Sequence, residues 1–489
     1  MTVPDDGTTA LDAHWGAGDA LVRGGGRRLP EQIAARLARR IEEHALQPGT
    51  RLASIREFAQ REGVSRSTVV EAYDRLVATG HVESRRGAGF FIRGRPERWS
   101  SRASTVPGGA AAVPPREAAS LDVAWLMRSL FAQAPAEGHP GAGLLPSAWL
   151  ESAQLGAAIR TVGRGTASGV LGYGVAAGFL PLREQIARRL AQIDVAAAPD
   201  QIVVTSGATH ALDLVARLLA GPGDTVLVED PAWFVLFGRF AAFGLNVLGV
   251  PRTPEGPDLD VLATLLERHQ PKLFVLSSVL HNPTGTLVSP AVAHRLLQIA
   301  ERHDCTIVDD DIYGDLAPPQ ALRLASLDQL RRVVHVGGYS KTLAAGLRVG
   351  YLAARRDLAD RLADLKLLTG LTSPELGERV VARILAEGHY RRHVDRLRGR
   401  LDAARDRTLR ALQRFGARPF AAPQGGMFLW VDCGRDTRAI AARAAAQGIL
   451  CAPGGLFSPR QQPSTWMRVA AATCLNPAAM RFLERELGG

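Results

Sequence analysis

A lysine attacks a carbonyl only where its amine is partly withdrawn from water and can give up its proton near neutral pH. The chain contains three lysines, Lys272, Lys341 and Lys366. Lys341 ends Tyr339-Ser340-Lys341, a small polar loop after the apolar run Val333–Gly338. Lys272 precedes an apolar run, and Lys366 lies in the helical pattern DLADRLADLKLL, so both read as surface charges. Four other apolar runs end in loops loaded with polar or aromatic residues. Gln201–Ser206 leads into Gly207-Ala208-Thr209, and Thr225–Asp230 into Pro231-Ala232-Trp233. Leu273–Val279 leads into His281-Asn282-Pro283-Thr284-Gly285, and Thr306–Asp310 into Asp311-Ile312-Tyr313. Ligands of open α/β sheets sit beyond the carboxyl ends of the strands, so these five loops are expected to converge.

The expected site has a definite chemistry. Ser206-Gly207-Ala208-Thr209 opens a helix after a strand and offers backbone N–H groups and a positive dipole end to a phosphate. Arg348, seven residues after Lys341, completes a phosphate clamp, with Ser340 as a further contact. Asp310 can pair with a pyridinium nitrogen and keep the ring an electron sink. Tyr313 and Asn282 can hydrogen-bond a ring hydroxyl, and Trp233 can stack on the ring face. Singly, Asp310 reads equally well as a helix cap, Trp233 reads more often as core, and Lys341 reads as a surface charge. Together they specify pyridoxal 5'-phosphate better than a nucleotide. The chain has no G-x-x-x-x-G-K-[ST] and no convincing dinucleotide fingerprint.

The elements that must hold these loops belong to a long alternating segment, residues 120–489. It is expected to form an α/β domain with a mostly parallel sheet and helices on both faces. Ahead of it, residues 1–26 read as a flexible arm, 27–95 as a compact basic domain, and 96–119, rich in Pro, Gly, Ser and Ala, as a linker. In the basic domain, Ile33, Leu37 and Ile41 mark one face of a first helix. Ser54 and Glu57 form a capping-box pattern for a second, which Gly63 ends. Ser65 caps a third, with Val69, Ala72, Tyr73 and Leu76 on its buried side. A hairpin follows, with Arg85-Arg86-Gly87 at its tip. This is a winged helix-turn-helix pattern, whose recognition helix enters the major groove by its N-terminus. The candidates there are Ser65, Arg66, Ser67 and Thr68, with Arg56 and the wing residues Arg85, Arg86 and Gly87 at phosphates. Arg66 can be bidentate to guanine.

The net charge of +11 favours a polyanionic partner. No run of about 18 apolar residues suggests a membrane span. The start, MTVPDDGTTALDAHW, lacks the pattern of a secretory signal. The four cysteines, Cys305, Cys433, Cys451 and Cys474, lack metal-ligand spacing and suit reduced thiols, so no metal and a cytoplasmic setting are expected.

PGTRLASIREFAQREGVSRSTVVEAYDRLVATGHVESRRGAGFFI resembles the GntR-type winged helix-turn-helix, with Ala53 where that family often has Pro. LGYGVAAGFLPLREQIARRL, VTSGATHALDLV, HNPTG, VDDDIYGDL, YSKTLAAGLRVGYL, GGMFLWVD and WMRVAAA resemble fold-type I aminotransferases over about residues 120–485. That likeness implies a small C-terminal α+β subdomain, a head-to-tail homodimer, Arg468 at the α-carboxylate of an amino compound, and Tyr173 at the partner subunit's phosphate. Gly338 departs from the family's phosphate-binding serine, and Trp233 from its usual tyrosine. The combination resembles the MocR subfamily. It implies a DNA-binding transcription regulator that senses pyridoxal 5'-phosphate, or an amino compound, through an aldimine at Lys341, on an operator with two half-sites. The alternatives are a working aminotransferase with a DNA-binding appendage, and a repressor using the fold only to dimerise. Arg66→Ala is expected to cost about 1–3 kcal/mol of operator binding and to blur preference at one base. Equal losses on operator and random duplex would contradict base reading.

Overall fold

The computed structural model describes residues 21–22, 28–42, 49–85, 87–93, 138–165 and 171–488. Most of the expected arm, the whole linker and Arg86 lie outside these residues. The chain divides into two units, 1–115 and 116–489.

The first unit has helices α1 (Leu29–Glu42), α2 (Ile55–Glu62) and α3 (Arg66–Ala78), then strands β1 (Val82–Arg85) and β2 (Gly89–Ile92). The Ser54 hydroxyl accepts from Glu57 N–H, and the Glu57 carboxylate accepts from Ser54 N–H, a complete capping box. Gly63 ends α2 in the left-handed conformation, φ 62°, where a Cβ is costly. Ser65 caps α3 by accepting from Thr68 N–H at 3.1 Å. The apolar faces meet in one core containing Ile33, Leu37, Phe58, Val69, Tyr73, Leu76, Val82 and Ile92. Tyr73 sits edge-on to Phe58 and Phe90 and donates its hydroxyl to Ala53 O at 3.0 Å. The turn that has Ala rather than Pro at 53 is therefore pinned from inside the core.

The second unit is built on an eight-stranded sheet. Its strands are β3 (Ile202–Thr205), β4 (Thr225–Asp230), β5 (Asn246–Thr253), β6 (Gly256–Pro257), β7 (Leu273–Leu276), β8 (Thr306–Asp310), β9 (Val333–Gly338) and β10 (Gly350–Ala353), in the order β3-β10-β9-β8-β7-β4-β5-β6. The neighbours from β9 to β5 pair in parallel. β10 runs antiparallel to both β3 and β9, and β6 antiparallel to β5. All five strands whose ends carry the candidate residues therefore point the same way. Successive side chains go to opposite faces. Val204, Phe274, Leu276 and Ile307 enter one core, and Val203, Val275, Val308 and Val336 the other. Both faces are covered by helices, as parallel strands require.

A second sheet, β11 (Arg418–Pro419), β12 (Phe428–Asp432), β13 (Ala452–Pro453) and β14 (Trp466–Ala470), is antiparallel in the order β11-β12-β14-β13, with its own core around Leu412, Ile440 and Phe482. Two expected strands are shorter than read: 201–206 is Ile202–Thr205, and 273–279 is Leu273–Leu276. Beyond Leu276 the N–H groups of Ser277 and Ser278 go to the side chains of Glu229 and Asp309 instead of to a neighbouring strand's backbone. Among the described residues, no helix is long and apolar enough to cross a membrane, and no group of three or more His, Cys, Asp or Glu could hold a metal ion. Tyr73→Phe removes one buried hydrogen bond and leaves Ala53 O unpaired. It is expected to cost the DNA-reading unit about 1–2 kcal/mol, measured by denaturant unfolding.

Candidate functional site

Each strand end delivers a side chain to one sheet edge, and the loops between are fixed by polar groups beneath them. β3 leads through Ser206 to Gly207, φ 85°, which opens the helix Ala208–Leu219. A Cβ on Gly207 would stand 2.5 Å from Nη2 of Arg348, so the guanidinium lies directly on this turn. Arg348 Nη2 donates to Ser206 O at 3.1 Å. The first N–H groups of the helix, those of Ala208 and Thr209, have no partners within its own ladder. The Ser206 N–H donates to Nδ1 of His210 at 3.2 Å, which steadies the turn. β4 runs through a cis Asp230–Pro231 bond to Trp233, which caps the helix Phe234–Ala242 and is half-buried.

The loop after β7 is held from below. Ser277 N–H donates to Glu229 at 2.9 Å, and Ser278 donates through N–H and hydroxyl to Asp309 at 2.9 and 2.7 Å. Glu229 also pairs with the buried Arg252. This fixes Asn282, whose Oδ1 accepts from Arg468 Nη1 at 3.0 Å and whose Nδ2 lies 3.4 Å from the Tyr313 hydroxyl. Asp310, at the end of β8, is buried, and its Oδ1 has no hydrogen-bond partner. Burial pushes its carboxyl up to about 7, against the pull of the Ile312 N–H. Tyr313 packs edge-on against Phe428 at 5.4 Å, and burial raises its phenol well above the usual range.

Lys341 follows β9. Its Nζ donates to Gly143 O at 2.8 Å and stands 5.9 Å from the Tyr313 ring centre. Desolvation, then the nearby Arg468 cation, push the amine down to about 8, with Asp310 opposing. Arg468, on β14, is buried between the rings of Phe428 at 4.3 Å and Phe457 at 5.1 Å. It donates to Gly141 O at 2.7 Å, and its Nε has no partner. Desolvation lowers its pKa to about 10.

The structure thus brings Lys341, Asp310, Tyr313, Asn282 and Arg468 together, and Arg348 to the turn before Ala208 and Thr209. Ser340 is half-buried on the Lys341 turn. Tyr173 is 85% exposed. In the other unit, Arg56, Ser65, Arg66, Ser67, Arg85 and Gly87 are exposed, and Thr68 is half-buried. The Ser65 hydroxyl is engaged with Ser67 at 2.8 Å and Thr68 at 2.7 Å, while Arg85 pairs with Glu83 at 2.6 Å.

Comparison with known proteins assigns both units. Residues 138–485 match the family of class I and II aminotransferases, and residues 29–92 match the bacterial regulatory proteins of the gntR family. The chain is 29% identical to YjiR, an uncharacterized HTH-type transcriptional regulator of Escherichia coli, over 93% of this chain and 97% of that one. It is 30% identical to the probable rhizopine catabolism regulatory protein MocR of Rhizobium meliloti, over 79% of this chain and 77% of that one. Among solved structures, an alpha-aminoadipate aminotransferase of Thermus thermophilus, complexed with N-(5'-phosphopyridoxyl)-L-leucine, matches with a TM-score of 0.68 at 28% identity, over 74% of this chain and 94% of that one. The chain belongs to the MocR-type regulators. Its body is a fold-type I aminotransferase domain, and the cofactor of that family is pyridoxal 5'-phosphate. The residues fit that group. Asp310 Oδ1 is an orphaned buried acceptor, and the Gly207 turn has no room for a Cβ under Arg348.

Three features were not foreseen. The strap Gly141–Gly143 supplies carbonyls to both Lys341 and Arg468. Glu229 and Asp309 support the loop that carries Asn282; their signal was a carboxylate inside an apolar run. Lys366 is not a surface charge: it is fully buried, and its Nζ donates to Ala176 O at 2.8 Å and Val204 O at 2.7 Å.

Of the charges acting on Lys341, which are Arg468, Asp310 and Arg348, the first two predict opposite shifts. Trace acetylation of the Lys341 peptide should rise with pH about a midpoint near 8. Removing the anion in Asp310→Asn should lower that midpoint, and removing the cation in Arg468→Leu should raise it. The same midpoint in all three proteins would refute the electrostatic account.

Proposed function

We propose that this MocR-type regulator senses pyridoxal 5'-phosphate, or an amino compound that reacts with it, through the amine of Lys341, and converts that occupancy into a change in DNA binding. The observation that carries the reading is a lysine amine lowered to about 8, set beside Asp310 and the buried Arg468, in the same chain as a helix presenting an exposed Arg66. Residues 27–95 form the DNA reader, 96–119 the linker and 120–489 the sensing body. Bound in the body, the cofactor supplies an aldehyde that takes up amines and a ring that withdraws electrons. Lys341 attaches it. Ala208 and Thr209 N–H, Ser340 and Arg348 hold its phosphate, and Trp233 covers its ring. Asp310 meets the ring nitrogen, and Asn282 and Tyr313 meet the ring hydroxyl. Arg468 receives a carboxylate where the effector is an amino acid.

The body acts as a homodimer, with Tyr173 reaching the partner subunit's phosphate. Leu171, Tyr173, Val175, Leu368 and Leu371 are large and exposed, and apolar surface of this kind marks an interface. Two readers then address two half-sites. The strap supports coupling between occupancy and reading. A carboxylate at Arg468 competes with the carbonyls of Gly141 and Ala142, and the strap continues in sequence into the segment that leads to the reader. A ligand shifts a conformational equilibrium only by the difference in its affinity for the two states, and displacement of the strap is such a difference.

The test is an operator selected from a random duplex pool, titrated with the protein while pyridoxal phosphate and a panel of amino acids are varied and keto-acid release is followed. Operator affinity should change with ligand, and Lys341→Ala should lose both the borohydride-fixed cofactor and the response. Rapid turnover with unchanged operator affinity would favour the aminotransferase reading.

A further inference from the structure

Lys366 is a buried ammonium that the site does not use. A lysine withdrawn from water costs several kcal/mol unless its donors are satisfied. Here they are satisfied in a particular place. Ala176 O belongs to the segment that carries Tyr173, and Val204 O to β3, two residues before the turn at Ser206 and Gly207. The same two stretches are joined again where Val204 N–H donates to Ala177 O at 2.9 Å. β3 is the edge strand of the sheet, so this segment closes an edge that would otherwise be open. At Gly178, φ 98°, a Cβ would stand 2.5 Å from Cβ of Val204, so only glycine permits the approach. Glu378, also buried, accepts from Phe179 N–H at 2.6 Å, and its charge opposes the desolvation of Lys366.

We propose that Lys366, backed by Glu378, is a positioning residue that locks the Tyr173 segment in register with the phosphate turn. Tyr173 is thereby presented to the partner subunit in a fixed place. The proposal rests on the reading of Tyr173 as a phosphate contact across the dimer. It makes one subunit's sheet edge a determinant of cofactor grip in the other subunit's site. No covalent or redox step is involved.

The experiment is a double-mutant cycle on the full chain, read as pyridoxal phosphate affinity by absorbance titration. Tyr173→Phe, which deletes one hydrogen bond to an anion, should weaken binding about tenfold or more. Lys366→Met, apolar and of similar length, should weaken it about three- to tenfold, and should cause no further loss when Tyr173→Phe is already present. A purely structural role would lower the melting temperature and leave the two losses additive; that result, or a silent Lys366→Met, overturns the proposal while the reading of Tyr173 stands. A silent Tyr173→Phe overturns the reading of Tyr173, and the proposal falls with it. If Lys366→Met does not fold, Glu378→Gln, which keeps an acceptor for Phe179 N–H but removes the opposing charge, undergoes the same cycle with the same outcomes.

Discussion

The body is organised by the problem of holding cations out of water. An unpaired buried charge is costly, and the usual remedy is a carboxylate with good geometry. Arg252 takes that remedy with Glu229, Arg323 with Asp311, and Arg189 with Asp315, and each pair braces a loop or strand end. Lys341, Arg468 and Lys366 take another. They donate to main-chain carbonyls, of Gly143, of Gly141 and Ala142, and of Ala176 and Val204. A carbonyl satisfies a donor without cancelling the charge. The cations at the sheet edge therefore keep both a lowered pKa and an attraction for anions, which a carboxylate partner would have abolished. Of the three, Lys341 and Arg468 stand at the candidate site, while Lys366 ties two backbone segments together.

The sheet makes this possible by gathering its loops. β3, β4, β7, β8 and β9 run in one direction, so their ends share an edge. The reversed strand β10 does more than fill the gap between β3 and β9. Its first residue, Gly350, abuts the Gly207 turn so closely that a Cβ there would stand 2.6 Å from Ala208 N. β10 follows Arg348 directly, and its pairing with β3 is what brings the Lys341–Arg348 loop against Gly207. The clamp between Arg348 and the turn is thus a consequence of strand order, not of sequence proximity.

Much of this was legible before any coordinates. The apolar runs gave the strands, and the polar residues after them gave the loops, because parallel strands buried on both faces have little room for anything else. What stayed hidden depends on non-local approach. The carbonyls of Gly141–Gly143 have no side-chain signature, and β10 is too short and too small to announce itself. Lys366 is the instructive miss. Leu358, Leu362 and Lys366 lie four residues apart on the buried face of the helix Arg356–Gly370. The spacing placed Lys366 inside; its charge argued that it was outside. Burial won because two carbonyls were waiting, a fact that periodicity cannot contain. In the reader, the cap at Ser65 was legible in full. The engagement of its hydroxyl with Ser67 and Thr68 was not, and it leaves those side chains less free for DNA than their exposure suggests.

The reader carries its cations in the opposite way, exposed and where local stability would not put them. Arg56 and Arg66 occupy the first turns of α2 and α3. The positive end of the helix dipole disfavours a cation there, and an acidic residue would stabilise the same position. Glu57 takes the stabilising role in α2, beside Arg56; α3 has no acidic residue in its first turn at all. A polyanion reverses the sign of this arrangement. A phosphate approaching the N-terminus of α2 meets the dipole and Arg56 together, and the N-terminus of α3 presents Arg66 to the groove with no carboxylate in its first turn to repel the backbone. The charges that the isolated helices would reject are those that a polyanion would select, and this supports the proposal that the N-termini of α2 and α3 face DNA.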